Sequence, residues 1–544
     1  MRTFRLVEGV AGVTLLLVAA ACGNTATGGL AGGFGGGSTG AGASTGSSKG
    51  GAGGATASSN GGATASTSSS SSGTGTASTS SSSSGTGTAS TSSSSGGVGG
   101  ASTSTSSGGV GGAAASSSSG GVGGASTSTS SGAVDGGAVT FGGQCNGTST
   151  VLTGTVYAPN GKDPIPRVRV YAAIQINPYP ANYCDKCSAP IDPAYVSTVS
   201  AADGTFSLNL DFVPAGATVD FAIQIGRFRK HTLLPVTACQ SQVVTAAAET
   251  LPGSSTAGDI PKIAVSAGNT DHLDTVLTAL GITEFDCYEG RANPYYPYGG
   301  SCTALSAASK TIADVLQNAT PGDPTAITSY NMAFISCAPG AYQHYISPPD
   351  GGAGNDQAAM TTNTKSWVGA GGRLFVTDTA YDYIAQAFPP DITWAGAAGA
   401  PQPVDGANVG CAPAAGTTSA HAVPYTITVD DPTLSAWLKV VGFPAPVTVQ
   451  GFYEPWSTMS SLATTSTLIA NGTMPIDPKI TGGACTTANT TMTNVPLTAE
   501  FDVPTCGRVI FSSYHTYTGT GASATAANQK IMEYLIFDAA YCSG

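Results

Sequence analysis

The feature that most limits what this chain can fold into is the stretch from residue 23 to 141, built almost wholly of Gly, Ser, Thr and Ala. Lys49 and Asp135 are the only charges in it. A twelve-residue period begins with "GTGTASTSSSSS" at Gly73 and returns in frame at Gly85, Gly97, Gly109 and Gly121. Solenoids repeat at about 20 to 50 residues and bury an apolar face between neighbouring units. This repeat offers no such face, so nothing offsets the entropy of ordering it. Residues 22–142 therefore read as a disordered Ser/Gly/Thr-rich tether, with an r.m.s. span on the order of 60 Å for ~120 residues. Its Ser and Thr density also permits O-glycosylation. Cores must come from residues 143–544, a length sufficient for two or three domains.

The chain opens "MRTFRLVEGVAGVTLLLVAAACGN". Arg2 and Arg5 give a positive start, and Val10 to Ala21 form an apolar stretch too short to span a membrane comfortably. This pattern is an export signal, excluded from the fold. It resembles a bacterial lipoprotein signal occupying residues 1–21, with Ala19 standing where that pattern usually has Leu. The resemblance implies cleavage before Cys22 and acyl chains on Cys22, enough for stable anchoring. With Gly23 rather than Asp next, it further implies outer-membrane lipid as a partner and the cell surface as location. The alternative is cleavage after Ala19-Ala20-Ala21, giving a freely secreted or periplasmic protein. No other segment has a long uninterrupted apolar run.

The formal net charge of −12 is carried almost entirely after the tether, which argues against nucleic acid as a partner. Twelve cysteines occur, and without Cys22 the remaining eleven are an odd number. Export makes disulfides the default, and at least one cysteine must stay outside the intrachain pairs. Cys184 and Cys187 form a CxxC in the loop "NPYPANYCDKC". A structural disulfide is the first reading, with a redox pair or half a zinc site as alternatives. No second CxxC or HxxxH completes a zinc site, and the loop is not a helix start of the kind that favours a redox thiolate. Cys287 and Cys302 are expected to close "CYEGRANPYYPYGGSC", a closure worth about 3 kcal/mol.

Residues 143–252 read as all-β. In "PRVRVYAAI", Val168, Val170 and Ala172 alternate with Arg167 and Arg169, the period of a half-buried strand. Asn160-Gly161 and Asp203-Gly204 are hairpin signals, the latter with a strand on each side. Short strands spaced by turns indicate a β-sandwich. The run Arg227, Arg229, Lys230, His231 reads as a solvated strand face, with an anion site as the alternative. The string "GTVYAPNG…PIPRVRVYA…STVSAADGTFSL…VPAGATVDFAIQIGRF" resembles the carboxypeptidase-regulatory-like (transthyretin-like) domain. That resemblance implies a small accessory sandwich without a catalytic centre.

Residues 258–544 alternate strand and helix patterns. "IPKIAVSAGN", "YNMAFISCAPG", "GGRLFVTD" and "CGRVIFSSYHTY" read as apolar strands. Leu273, Val276, Leu277 and Leu280 fall on one helix face, as do Met360, Thr364, Trp367 and Val368. Asp431 reads as an N-cap with Pro432 at the first helical position, and Leu434, Trp437, Leu438 and Val441 turn inward. "ATAANQKIMEYLIFDAAYC" reads as a closing helix. A parallel α/β sheet covered on both faces is expected. This order resembles the class I glutamine-amidotransferase-like (flavodoxin-like) fold. The tandem with its CxxC-bearing sandwich resembles a group of myxobacterial surface proteins without assigned activity.

In the amidotransferase fold a Cys sits on a sharp turn after one strand, and a His-Pro-Glu follows a later strand. The corresponding turn here is Asp378-Thr379-Ala380-Tyr381, without Cys or flanking Gly. His515 follows a strand, but Thr516-Tyr517 replace Pro-Glu. Cys337 ends a different strand and is set aside as a replacement nucleophile. Open α/β sheets bind ligands at the carboxyl ends of their strands, so Asp378 and His515 are the candidate catalytic pair, with Cys337 as an optional third member. The competing reading is that Asp378 caps the next segment and His515 bonds locally. No cofactor is implied, and His231, His272, His344 and His421 form no metal-ligand spacing. Tyr295, Tyr296 and Tyr298 inside the cysteine-closed loop, with Tyr179 and Tyr183 beside the CxxC, are candidate contacts to a polysaccharide or envelope protein. Two functions are carried forward. One is a non-catalytic surface lipoprotein; the other is a secreted hydrolase or amidase-like enzyme using Asp378 and His515.

Overall fold

Alternating apolar residues between turn signals give seven short strands after the tether. They are β1 (Val151–Thr155), β2 (Arg169–Ala173), β3 (Ala194–Val199), β4 (Thr205–Asn209), β5 (Thr218–Ile225), β6 (Phe228–Pro235) and β7 (Ser241–Val243). They form two sheets, ordered β4-β1-β7 and β3-β2-β5-β6. Leu152, Phe206 and Leu208 of the first meet Val170, Phe221 and Ile223 of the second in one core, with the Phe206 and Phe221 rings 5.9 Å apart. The Asp203-Gly204 turn is present, but its flanking strands β3 and β4 belong to different sheets, so it carries the chain across the sandwich instead of closing a hairpin. Gly204 has φ +75°, and a Cβ there would lie 2.7 Å from the Val156 carbonyl oxygen, which is why glycine is needed.

This computed structural model describes Cys145 and residues 148–542 except 174, 181–182, 185, 187–191, 215, 269–270, 291–301, 303–305, 307–309, 339–340, 347–352, 396–409, 412–423, 451, 453–455, 477–489 and 517–525. The expectations for the export signal, Cys22, the tether, Cys187, Tyr295, Tyr296, Tyr298 and His421 lie outside the described residues.

Within the basic run, Arg229 departs from a solvated face. Arg229 is only 2% exposed and binds Asp192 at 2.9 Å and Asp259 at 2.7 Å, with Tyr179 stacked 4.1 Å from its guanidinium carbon. A buried guanidinium keeps its charge only where carboxylates surround it, and two do so here. His231 remains exposed and sits 3.0 Å from Asp220.

The second part contains β8 (Ile263–Ala267), β9 (Asp286–Glu289), β10 (Met332–Ile335), β11 (Arg373–Thr377), β12 (Ile392–Trp394), β13 (Tyr425–Val429), β14 (Val447–Val449), β15 (Met459–Leu462), β16 (Ser466–Ile476), β17 (Thr490–Asp502) and β18 (Arg508–Ser512). Its helices follow a short α1 (Ala246–Glu249): α2 (Leu273–Ala279), α3 (Ile312–Gln317), α4 (Ala341–Ile346), α5 (Gln357–Gly369), α6 (Asp382–Ala387), α7 (Pro432–Val440) and α8 (Ala526–Ala540). Nine strands make one sheet, ordered β14-β13-β16-β17-β18-β11-β10-β8-β9. From β9 to β18 the pairing is parallel, and from β18 to β14 it is antiparallel. The five parallel strands, taken in chain order, stand in the order 2-1-3-4-5.

The expected fully parallel sheet is thus a mixed one. The inner parallel strands β8, β10, β11 and β18 are fully buried and read as mainly apolar runs, while the edge strand β9 reads DCYE. Along β11, Phe375 packs with α2, α7 and α8, while Leu374 and Val376 pack with α3, α5 and α6. The long pair β16 and β17 is rich in Thr and Asn and holds Pro475 and Pro496, signals that weigh against a central strand. Antiparallel pairing tolerates such composition because one face can meet water.

The sandwich and the nine-stranded sheet share a continuous core, in which Phe228 of β6 meets Phe537 of α8 with ring centroids 5.6 Å apart. Arg167 reaches Asp538 at 2.7 Å and Asp431 at 3.1 Å. Trp437 donates its indole N–H to the Pro164 carbonyl at 2.5 Å. Cys184 of the sandwich loop is disulfide-bonded to Cys506, just before β18.

Candidate functional site

Three neighbouring parallel strands end in register. Ile335 of β10 lies beside Val376 of β11, and Thr377 of β11 lies beside Ser512 of β18. Residues just beyond these ends converge at one place on the carboxyl edge: Cys337 after β10, Asp378 after β11 and His515 after β18. The chain leaves β11 sharply, through a 3-10 turn at Asp378–Tyr381 and straight into α6. Asp378 takes φ +39°, a conformation that side chains other than glycine rarely adopt.

Asp378 Oδ2 lies 3.0 Å from His515 Nε2 and 3.6 Å from Cys337 Sγ. One ligand-type atom from each of the three residues falls within 4.8 Å of the other two. All three side chains are fully buried. Fixed neighbours hold them. Asp378 Oδ1 accepts the Ser457 backbone N–H at 2.5 Å. Cys337 donates its backbone N–H to Thr377 Oγ1 at 2.9 Å, and its sulfur lies 3.0 Å from Thr379 Oγ1. Asn528, in the first turn of α8, donates to the His515 carbonyl at 2.9 Å. Beside the centre, buried Asp271 accepts from the Thr516 N–H and hydroxyl and from the His272 N–H, tying the loop after β8 to the residue following His515.

Burial alone would push the His515 pKa down, but the adjacent Cys337 sulfur and Asp378 carboxylate oppose it and hold the imidazole well above its usual value. Trp456, Ser457 and Thr458, all fully buried, pass over Asp378. The geometry is convergent. In a hydrolytic relay the imidazole stands between thiol and carboxylate and serves one through each ring nitrogen. Here one carboxylate oxygen faces both the imidazole and the sulfur, and the imidazole in turn engages both neighbours.

The expected pairing of Asp378 with His515 is present. Cys337 joins the pair: it ends a different strand, but β10 and β11 are parallel neighbours, so their carboxyl ends adjoin. The three residues come from segments far apart in sequence and so have no ligand spacing to detect. The available signal was that "FISC", "FVTD" and "FSSYH" each place a reactive side chain directly after a buried strand.

Other candidates fall elsewhere. Cys287 and Cys302 are bonded as expected, and Cys145 is bonded to Cys239. Cys411 and Cys542 are also in disulfides. Cys184 is in a structural disulfide, but with Cys506 and not with Cys187 as the CxxC suggested, so the motif is not a closed redox pair and Cys184 is not available to a metal. Tyr183 is buried and accepts from Gln224 at 3.2 Å, and Tyr179 donates to the Gly226 carbonyl at 3.1 Å. Both tyrosines thus pack against the β5–β6 turn, with the Arg227 guanidinium carbon 5.6 Å from each ring. Compared with models of known protein families and with curated proteins, the chain matches none.

Proposed function

We propose that this chain is an exported lipoprotein, anchored through acyl chains on Cys22, that displays a non-catalytic pair of domains at the outer-membrane surface. In this reading residues 143–252 are a carboxypeptidase-regulatory-like sandwich. Residues 258–544 are a flavodoxin-like, glutamine-amidotransferase-type domain carrying Asp where that fold has its nucleophile. The strand order 2-1-3-4-5 supports the second assignment. The observation that carries the non-catalytic reading is the full burial of Asp378, with one carboxylate oxygen held by the Ser457 N–H and the other facing His515. A substrate carbonyl has no approach to such a group. The partner is a polysaccharide or an envelope protein.

A second reading is favoured by one observation: a thiol, an imidazole and a carboxylate meet at the carboxyl edge of the parallel strands, where this class of sheet does its chemistry. In that reading the chain is an amidase-like hydrolase with Cys337 as nucleophile. The full-length chain, extracted in detergent, is tested against a panel of amide and ester substrates and against isolated envelope fractions. The expected result is retention by an envelope fraction without turnover. Turnover lost in Cys337→Ala establishes the hydrolase instead.

A further inference from the structure

We infer that Cys337, Asp378 and His515 form a binding site for a zinc ion. The argument is one of donor geometry and does not depend on whether the chain turns over a substrate. Zinc takes tetrahedral sets of Cys sulfur, His nitrogen and carboxylate oxygen at about 2.0 to 2.3 Å, which places the ligand atoms ~3.3 to 3.8 Å from one another. Asp378 Oδ2 to Cys337 Sγ is 3.6 Å and Asp378 Oδ2 to His515 Nε2 is 3.0 Å, both within a few tenths of an ångström of that range, and the sulfur and the imidazole donor lie within 4.8 Å of each other. Thiolate and carboxylate together carry the charge that a divalent ion neutralises, which is what full burial requires of any ionic centre. A sulfur–nitrogen–oxygen set of this kind suits zinc better than magnesium or calcium, which prefer oxygen alone.

The surrounding shell is of the type that orients metal ligands. Asp378 is fixed through Oδ1 by the Ser457 N–H, leaving Oδ2 directed at the centre. The Cys337 backbone is fixed by Thr377, and its sulfur meets the Thr379 hydroxyl. The φ of +39° at Asp378 is what turns its carboxylate back towards the two neighbouring strand ends. Three protein ligands leave the fourth position of a tetrahedron to a group from outside the set, as in zinc sites that keep one position open. Because the donors are fully buried, zinc enters as the chain folds and exchanges slowly afterwards.

The test is metal analysis of the full-length chain, as purified and after refolding with ZnCl2, together with cobalt substitution. The inference expects one zinc per chain and slow loss to EDTA. It also expects a thiolate-to-cobalt charge-transfer band that is absent in Cys337→Ser. His515→Gln loses the ion, and Thr379→Val weakens binding by about 10- to 100-fold. If Cys337→Ser does not fold, the unsubstituted chain decides: refolded with CoCl2 it must show the thiolate-to-cobalt band, and blocking Cys337 in the unfolded chain before refolding, mapped by peptide mass spectrometry, must abolish that band. A chain that refolds without zinc and gives no charge-transfer band overturns the site. So does stoichiometric zinc that persists in folded Cys337→Ser, because that ion is held elsewhere.

Discussion

Asp378 combines two costs, a backbone conformation unfavourable for a side chain and a carboxylate removed from water. His515 supplies the opposing charge at 3.0 Å. Asp378→Asn keeps the size and the acceptor for Ser457 but leaves the imidazolium without its counter-charge. In the metal-free chain it should lower stability by about 3 kcal/mol, the scale of breaking a buried pair, as read by chemical denaturation. Glu500 shows the opposite case. Burial, reinforced by the Asp538 carboxylate and only partly relieved by Arg508 at 3.5 Å, raises its pKa well above the usual range. The folded state therefore holds a proton that the unfolded state has released. This contribution is favourable below the unfolded pKa of about 4.3 and is lost as pH rises through the folded value. Glu500→Gln, which cannot ionise, should stabilise the chain by at least about 1 kcal/mol at pH 8 relative to the native sequence, with a smaller difference at pH 4. Equal effects at both pH values would show that Glu500 is charged in the fold.

At the scale of elements, local chemistry accounts for most boundaries. Thr311 caps α3 by accepting from the Asp314 N–H, while Asp314 accepts from the Thr311 N–H in return. Thr311→Ala should cost about 1 kcal/mol in thermal or chemical unfolding, without altering the centre. The helix faces of Leu273, Val276 and Leu277, and of Met360, Thr364, Trp367 and Val368, are visible in the spacing alone, and those residues are buried. So are four of the five parallel strands, whose apolar runs announce burial on both sides; β9, with the sequence DCYE at the sheet edge, has no such run. What was hidden follows from long-range pairing. β16 and β17 carry polar alternation and prolines, and only the partner strand turns those residues into a sheet. The centre is hidden for the same reason: each of its three residues is legible as a strand terminus, but their convergence requires the strand order. Cys184 illustrates the limit. Its neighbour in sequence is Cys187, while its bonded partner is Cys506, at a sequence separation of 322.

For the whole molecule, the sandwich and the nine-stranded sheet behave as a joined body because one core runs between them. The Arg167 bridges, the Trp437 bond to Pro164 and the Cys184–Cys506 disulfide all cross the same junction. Replacing both Cys184 and Cys506 by Ser should destabilise the chain by up to about 5 kcal/mol, with other crosslinks reducing the effect. Unfolding should nevertheless remain a single transition for residues 143–544, and two separated transitions in calorimetry would contradict a shared core. The central claim is that a thiol, a carboxylate and an imidazole are closed off from solvent at the carboxyl edge of the parallel strands. Its most direct test is alkylation of the native chain with iodoacetamide, mapped to individual peptides. The account predicts that Cys337 stays unmodified until the chain is unfolded and then reacts without added reductant. Rapid labelling of Cys337 in the native chain, at the rate of a small-molecule thiol, would contradict it.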